Sequence, residues 1–296
     1  MAAPKTWLAI PVVAVASAGA AAALGMRAGA PDWEVAAATG LLAAALAAAV
    51  RAFAGPSLAA AVAGVAAALL GTLTVLELPH LVLSRGAIAS AAAMFAICEL
   101  VRPMPPEESP LPSIGAAVLA GVLDPSFVAL VPITGWRYVR GPWPRPRGAL
   151  ALPIAGALAC ILAAVAAVVP STFLSDVWTA WTQRDGVVHA PLDVIARAGD
   201  ALGPITAVAA VAGLGVCATR GRLAVVSIGA IVVGALAVDL ALGSVGAAVP
   251  TIAALGAGVA IARLTAMVRW PAGQTFVGAV AGFMMVLAPA LALALR

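Results

Sequence analysis

The chain has 296 residues, 64% of them hydrophobic and 9% charged, with a mean hydropathy of +1.12. A soluble domain carries about 25% charged residues, so the composition argues against a water-soluble fold and makes lipid the expected solvent. The net charge of +4 is scattered over short loops between apolar runs, which excludes a basic nucleic-acid-binding face.

A membrane helix needs about 20 apolar residues, fewer where the flanks reach the interface. Residues 7–25 form the first such run. Lys5 ahead of it imitates a signal peptide, but the run is long and more follow, which predicts a retained helix. A loop at 26–34 carries Pro31-Asp32-Trp33-Glu34, and a second span covers 35–50 up to Arg51. Gly55-Pro56 breaks the chain before a third span at 58–78. Pro79, His80 and Arg85 mark a loop at 79–85, and a fourth span at 86–101 ends at Arg102.

Residues 114–139 are long enough for one helix, but Asp124-Pro125 lies in the middle. Proline disfavours helix at the residue before it, and an aspartate at mid-bilayer costs about 2.5–3.5 kcal/mol on insertion scales. The expectation is a short hairpin, 114–123 and 126–139, with Asp124 at its tip. A basic loop at 136–148 follows, then a span at 149–169 and a long polar loop at 170–200. Spans at 201–219, 223–242, 247–262 and 276–295 finish the chain. Cys98, Cys160 and Cys217 all fall inside spans and are read as small buried hydrophobes.

The fold class is therefore all-α, a polytopic integral membrane protein of about 10–11 membrane segments including the hairpin, forming a single transmembrane domain over residues 1–296. With the N-terminus cytoplasmic, the inner side holds Lys5, Arg51, Arg102, Arg137, Arg140, Arg145, Arg147, Arg220, Arg222, Arg263 and Arg269. The outer side holds Arg27, Arg85, Arg184, Arg197 and Arg296. This is the positive-inside pattern, and reading 114–139 as one span would put a four-arginine loop outside and break it. Most acids fall toward the outer side, Asp32, Glu34, Asp124 and Asp239 among them. Loops 26–34, 79–85 and 170–200 are outer loops.

Four features converge on that outer face: Asp32 with Glu34, His80 with Arg85, Asp124, and the loop carrying Trp178, Trp181 and Arg184. A carboxylate can take a proton from an acceptor hydroxyl, an arginine can hold a phosphate bidentately, and aromatic walls suit a sugar or isoprenoid. Each feature also has a structural reading. Asp32 and Glu34 suit a helix N-terminus, Asp124 suits an Asp-Pro turn or cap, and the tryptophans suit an interfacial belt. Small residues four apart, such as Ala254 and Gly258, are what helix packing in lipid requires. There is no phosphate-binding loop, zinc signature or dinucleotide fingerprint, and neither metal nor cofactor is expected.

In order of features, the chain resembles membrane glycosyltransferases of the GT-C type, in particular a bacterial branch similar to protein O-mannosyltransferases. The resemblance rests on Asp32-Trp33-Glu34-Val35-Ala36, Leu83-Ser84-Arg85-Gly86-Ala87, Gly121-Val122-Leu123-Asp124-Pro125 and the Trp178–Asp185 loop. It implies an inner-membrane enzyme that takes a lipid-linked sugar as donor at the outer face. Asp32 or Glu34 would be the base, Arg85 would hold the donor phosphate, and His80, Asp124, Trp178, Trp181 and Arg184 would contribute to substrate binding. The chain departs from the family where a His-Pro-Pro-Gly-rich segment would follow the first loop, since Leu41-Leu42-Ala43 stands there, and it has no large outer domain. A degenerate relative, a small-solute or lipid carrier, and a non-enzymatic subunit of a membrane complex remain the alternatives.

Overall fold

The computed structural model describes residues 33–55, 57–76, 83–101, 111–140, 204–218, 222–242 and 246–294, together with residue 15. Among them the chain is entirely helical. The α-helices are α1 (Trp33–Ala54), α2 (Leu58–Leu76), α3 (Leu83–Val101), α4 (Leu111–Leu123), α5 (Leu130–Arg140), α6 (Pro204–Ala218), α7 (Arg222–Leu242), α8 (Ala248–Ala266) and α9 (Pro271–Ala294). A 3-10 turn, Pro125–Phe127, joins α4 to α5. The expected span at 7–25, residue 15 apart, the span at 149–169 and the loop at 170–200 lie outside the described residues.

Local chemistry explains the joints. Gly55, with φ of 90°, ends α1 in the left-handed conformation that glycine adopts without penalty, and its N–H closes on the Arg51 carbonyl. The Ser57 hydroxyl then accepts the Ala60 N–H and caps α2. Pro271 occupies the first position of α9, where its missing N–H costs nothing. As a result α9 starts five residues before the expected 276, and the α8–α9 link shrinks to residues 267–270. Likewise α1 takes in Trp33 and Glu34, and α3 takes in Arg85, residues that the sequence reading places in loops.

The helices approach closely because the contacts are small. A Cβ on Gly64 of α2 would lie 3.2 Å from the Ala47 Cα of α1, so these helices pack almost backbone to backbone. Gly258 of α8 sits against Val50, Ala63 and Ala67, and Ala254 sits against Gly71. The pair singled out by spacing thus faces α2. Gly213 of α6 and Gly256 of α8 press backbone on backbone, and any side chain on Gly213 would meet the Gly256 carbonyl. Gly278 and Gly282 of α9 rest on Val62 and Ala66 of α2. Cys98 and Cys217 are unbridged.

These contacts fix the directions. Helices α1, α3, α6 and α8 start at one end of the bundle, where α2, α7 and α9 finish and where the α4–α5 hairpin has its tip. The opposite end receives Arg51, Arg137, Arg140, Arg222, Arg263 and Arg269, all at or beside helix ends, together with Glu99. The tip end receives Glu34, Arg85, Asp124 and Asp239.

The core is built from Ala, Leu, Ile and Val, with Phe53, Phe127 and Met94 as its larger members. Large apolar side chains are also turned outward: Val208 and Val211 on α6, Val233 on α7, Trp270 before α9, and Phe276, Val280 and Phe283 along one face of α9. Two stretches, Ala36–Ala54 and Ala248–Ala266, are long and apolar enough to cross a membrane, and five further stretches of the described helices are apolar but shorter.

Candidate functional site

The polar residues of the bundle fall into two kinds. Thr39, Thr134 and Thr265 are buried and return their hydroxyl protons to carbonyls one turn back on their own helices, so they are satisfied locally. Arg85, Asp124, Ser126 and Asp239 gather at the tip end, where four elements meet, while Ser113 lies at the far end of α4.

Helix α8 begins without a cap of its own. Its N-cap residue is Ala247, no side chain of its own segment accepts its first amides, and its first turn holds no acid. The first N–H groups of any helix have no partner within it, and leaving them buried costs about 1–3 kcal/mol each. Here the hairpin tip supplies the acceptors from more than a hundred residues away. Asp124 Oδ2 accepts the Ala247 N–H at 2.9 Å, and Ser126 Oγ accepts the Ala248 N–H at 3.1 Å. Asp124 Oδ1 accepts the Ser126 N–H at 2.9 Å, which closes the 3-10 turn. Extended backbone at Asp124 and the fixed φ of Pro125 hold that geometry. Asp124 is therefore an Asx cap for its own turn and a cap in trans for α8, and its negative charge meets the positive end of the α8 dipole.

Gly246 makes this docking possible. A Cβ there would lie 2.5 Å from both Ser126 Cβ and Ser126 Oγ, and 3.0 Å from Asp124 Oδ1. Gly234 of α7 makes the same kind of room for Ala129, and Gly121 lets Val128 fold back on α4. The Gly246 N–H points elsewhere, to Asp239 Oδ1 near the end of α7, at 3.0 Å. Asp239 is 1% exposed, and its second oxygen, Oδ2, has no hydrogen-bond partner among the described residues.

Arg85 lies in the first turn of α3 and is 5% exposed. Its depth follows from a hydrogen bond between helices, Thr251 Oγ1 to Ser90 Oγ at 2.8 Å. At about 1.5 Å per residue, Arg85 stands about 7.5 Å above Ser90, and Ala247 about 6 Å above Thr251. Arg85 is thus level with the hairpin tip and the α7–α8 junction. Helix α3 packs closely along α1, and both start here, so Glu34 in the first turn of α1 belongs to the same end.

Of the residues expected to act together, the structure brings Arg85, Asp124 and the Glu34 turn to one end of the bundle. Asp32, His80, Trp178, Trp181 and Arg184 lie outside the described residues. Asp124 has both oxygens engaged by backbone N–H groups, which fits the cap reading of its Asp-Pro step. The sequence reading left the group that Asp239 meets unnamed and gave Gly246 no role beyond a turn. One signal was available: the stretch Ala247-Ala248-Val249-Pro250 opens a helix with no Ser, Thr, Asp or Asn to cap it. Among the described residues no group of three or more His, Cys, Asp or Glu side chains is placed to hold a metal ion.

No protein-family model, curated protein or solved structure matches the chain.

Proposed function

We propose that the chain is a multi-pass protein of a bacterial inner membrane, with its N-terminus cytoplasmic and the hairpin tip toward the outer face. Two features support this reading. The arginines of the described helices cluster at one end and leave only Arg85 at the other, as the positive-inside rule requires. Large apolar side chains face outward on α6, α7 and α9, as lipid-facing helices require.

Within that frame we propose a GT-C-like glycosyltransferase, or a degenerate relative, that takes a lipid-linked sugar at the outer face. The observation that carries this is the placement of Arg85. A guanidinium in the first turn of a helix opposes the helix dipole, and burying it in an apolar bundle adds a desolvation cost. Such a placement is understandable where an anion has to be held, and a phosphate leaving group is the anion this chemistry supplies. Asp32, or Glu34 at the start of the neighbouring α1, would be the base, with His80, Trp178, Trp181 and Arg184 completing the donor and acceptor contacts.

The test is sugar transfer from a polyprenyl-phosphate-linked donor by purified protein in vesicles. Arg85→Gln should weaken donor binding at least tenfold, and the double change Asp32→Asn, Glu34→Gln should abolish transfer while leaving donor binding in place. Undiminished transfer by the double variant would sink the assignment of the base.

A carrier is the second reading, and Asp239 is what favours it. Intramembrane carboxylates without a full set of partners mark ion and proton paths in membrane proteins. Uptake of a solute by the same vesicles, without sugar transfer, would select this reading over the first.

A further inference from the structure

Two carboxylates converge on consecutive amides. Asp239 Oδ1 takes the Gly246 N–H, and Asp124 Oδ2 takes the Ala247 N–H. Gly246 and Ala247 are consecutive, so the two carboxyl groups meet at one junction, the start of α8. Asp124 is 3% exposed and Asp239 1%. Asp124 is fully used: both oxygens accept backbone N–H groups, and one of these belongs to the positive end of α8. Asp239 is not, because Oδ2 is buried with no hydrogen-bond partner among the described residues.

The other elements packed on α7 bring no further ionisable group to this end among the described residues. Cys217 of α6, Arg263 of α8 and Arg137, Tyr138 and Arg140 of α5 sit at the opposite ends of their helices. Among the described residues Arg85 of α3 is the one cation at this level. Burial disfavours a bare negative charge on a carboxylate whose oxygen lacks a partner, and a bound proton or a bound cation relieves that cost.

We propose that the Asp124–Asp239 pair is a binding site for one exchangeable monovalent cation, held on Asp239 Oδ2 where the hairpin tip meets Gly246 and the start of α8. The inference rests on neither functional reading above, because it concerns occupancy of the pair and not transfer or uptake. A proton and a sodium ion share the required chemistry: one positive charge, small enough for a site roofed by Gly246.

The experiment is infrared difference spectroscopy on the full chain in phosphatidylcholine vesicles, titrated once with acid and once with sodium chloride against choline chloride at fixed alkaline pH. For a proton, the wild type gains the carbonyl stretch of a buried protonated carboxyl on acidification. For sodium, the carboxylate stretch shifts with added sodium and not with choline. Either response should disappear in Asp239→Asn, which keeps an acceptor for the Gly246 N–H, and should persist in Glu99→Gln at the far end of the bundle. If neither titration changes the wild-type spectrum, or if the change survives in Asp239→Asn, the site does not exist. Should Asp239→Asn fail to fold, Asp239→Glu, which keeps the carboxyl, should retain the response at a shifted midpoint, and an unshifted response would overturn the site.

Discussion

Replacing Asp124 by Ala should destabilise the protein by about 3–5 kcal/mol, and the size of the effect separates two accounts of the tip. The carboxylate accepts two backbone N–H bonds of 2.9 Å in a site where the residue is 3% exposed. A hydrogen bond to a charged group contributes about 1.5–3 kcal/mol, and each buried N–H left without an acceptor costs about 1–3 kcal/mol. Against this stands the repulsion of Asp239. Like charges in contact range repel by up to about 4 kcal/mol at an effective dielectric constant of about 20, enough to offset most of the loss. The full cost is therefore expected only if a cation already neutralises Asp239. The assay is denaturant unfolding in micelles followed by tryptophan fluorescence, on Asp124→Ala alone and again in an Asp239→Asn background. A cost near 4 kcal/mol in both backgrounds supports the cap and the neutralised pair. A cost near zero that rises to about 4 kcal/mol in the Asp239→Asn background would mean that both acids are bare. A change under about 0.5 kcal/mol in both would refute the trans cap itself.

Ser126→Ala should cost about 1 kcal/mol in the same assay, because it removes the single acceptor of the Ala248 N–H. Gly213→Ala should separate α6 from α8, because its Cβ would strike the Gly256 carbonyl, and a loss of about 1–3 kcal/mol is expected. Gly215→Ala on the same helix meets nothing within 4 Å and should instead stabilise by about 0.5–1 kcal/mol through helix propensity. Equal effects at the two positions would show that the α6–α8 crossing does not depend on backbone contact. In a background without the natural cysteines, single cysteines at Pro112, Trp136 and Trp270, all exposed near helix ends, should react with a membrane-impermeant thiol reagent from the same face. Labelling of 112 and 136 from opposite faces would replace the hairpin by a through-going helix.

Much of the helical order was legible because each interruption is local chemistry. Asp124-Pro125 forbids a continuous helix, Gly55 ends one, and arginines mark the ends that meet the basic side. Helix starts were less legible where a residue with two possible settings sat at the boundary. The expected loops 26–34 and 79–85 included Glu34 and Arg85, which occupy the first turns of α1 and α3, and α9 opens at Pro271, five residues before the expected start. The junction at Gly246 was illegible for a different reason. Its partners, Asp124 and Ser126, are separated from it by more than a hundred residues, and a cap supplied in trans leaves no pattern of spacing. What it does leave is a deficit: a helix start of alanines with nothing to accept its amides.

That deficit also explains why an expensive pair of acids persists in a bundle built largely of alanine. Tight crossings such as Gly64 on Ala47 and Gly213 on Gly256 hold helices by shape, but an alanine surface has little to fix how far one helix slides along the next. A short hairpin has the same freedom, since α4 and α5 extend only about 20 Å and 16 Å at 1.5 Å per residue. Asp124 and Ser126 remove that freedom, because each of their bonds to α8 has a single productive register. The hydrogen bond from Thr251 to Ser90 does the same for α3 on α8, one turn further in. Arg85, level with the tip, inherits its position from that second bond. A polar group at the tip end is thus fixed by two registers that meet on α8. Disturbing the Asp124 cap should therefore shift the hairpin relative to α8 while leaving α3, and Arg85 with it, where the Ser90 bond puts it.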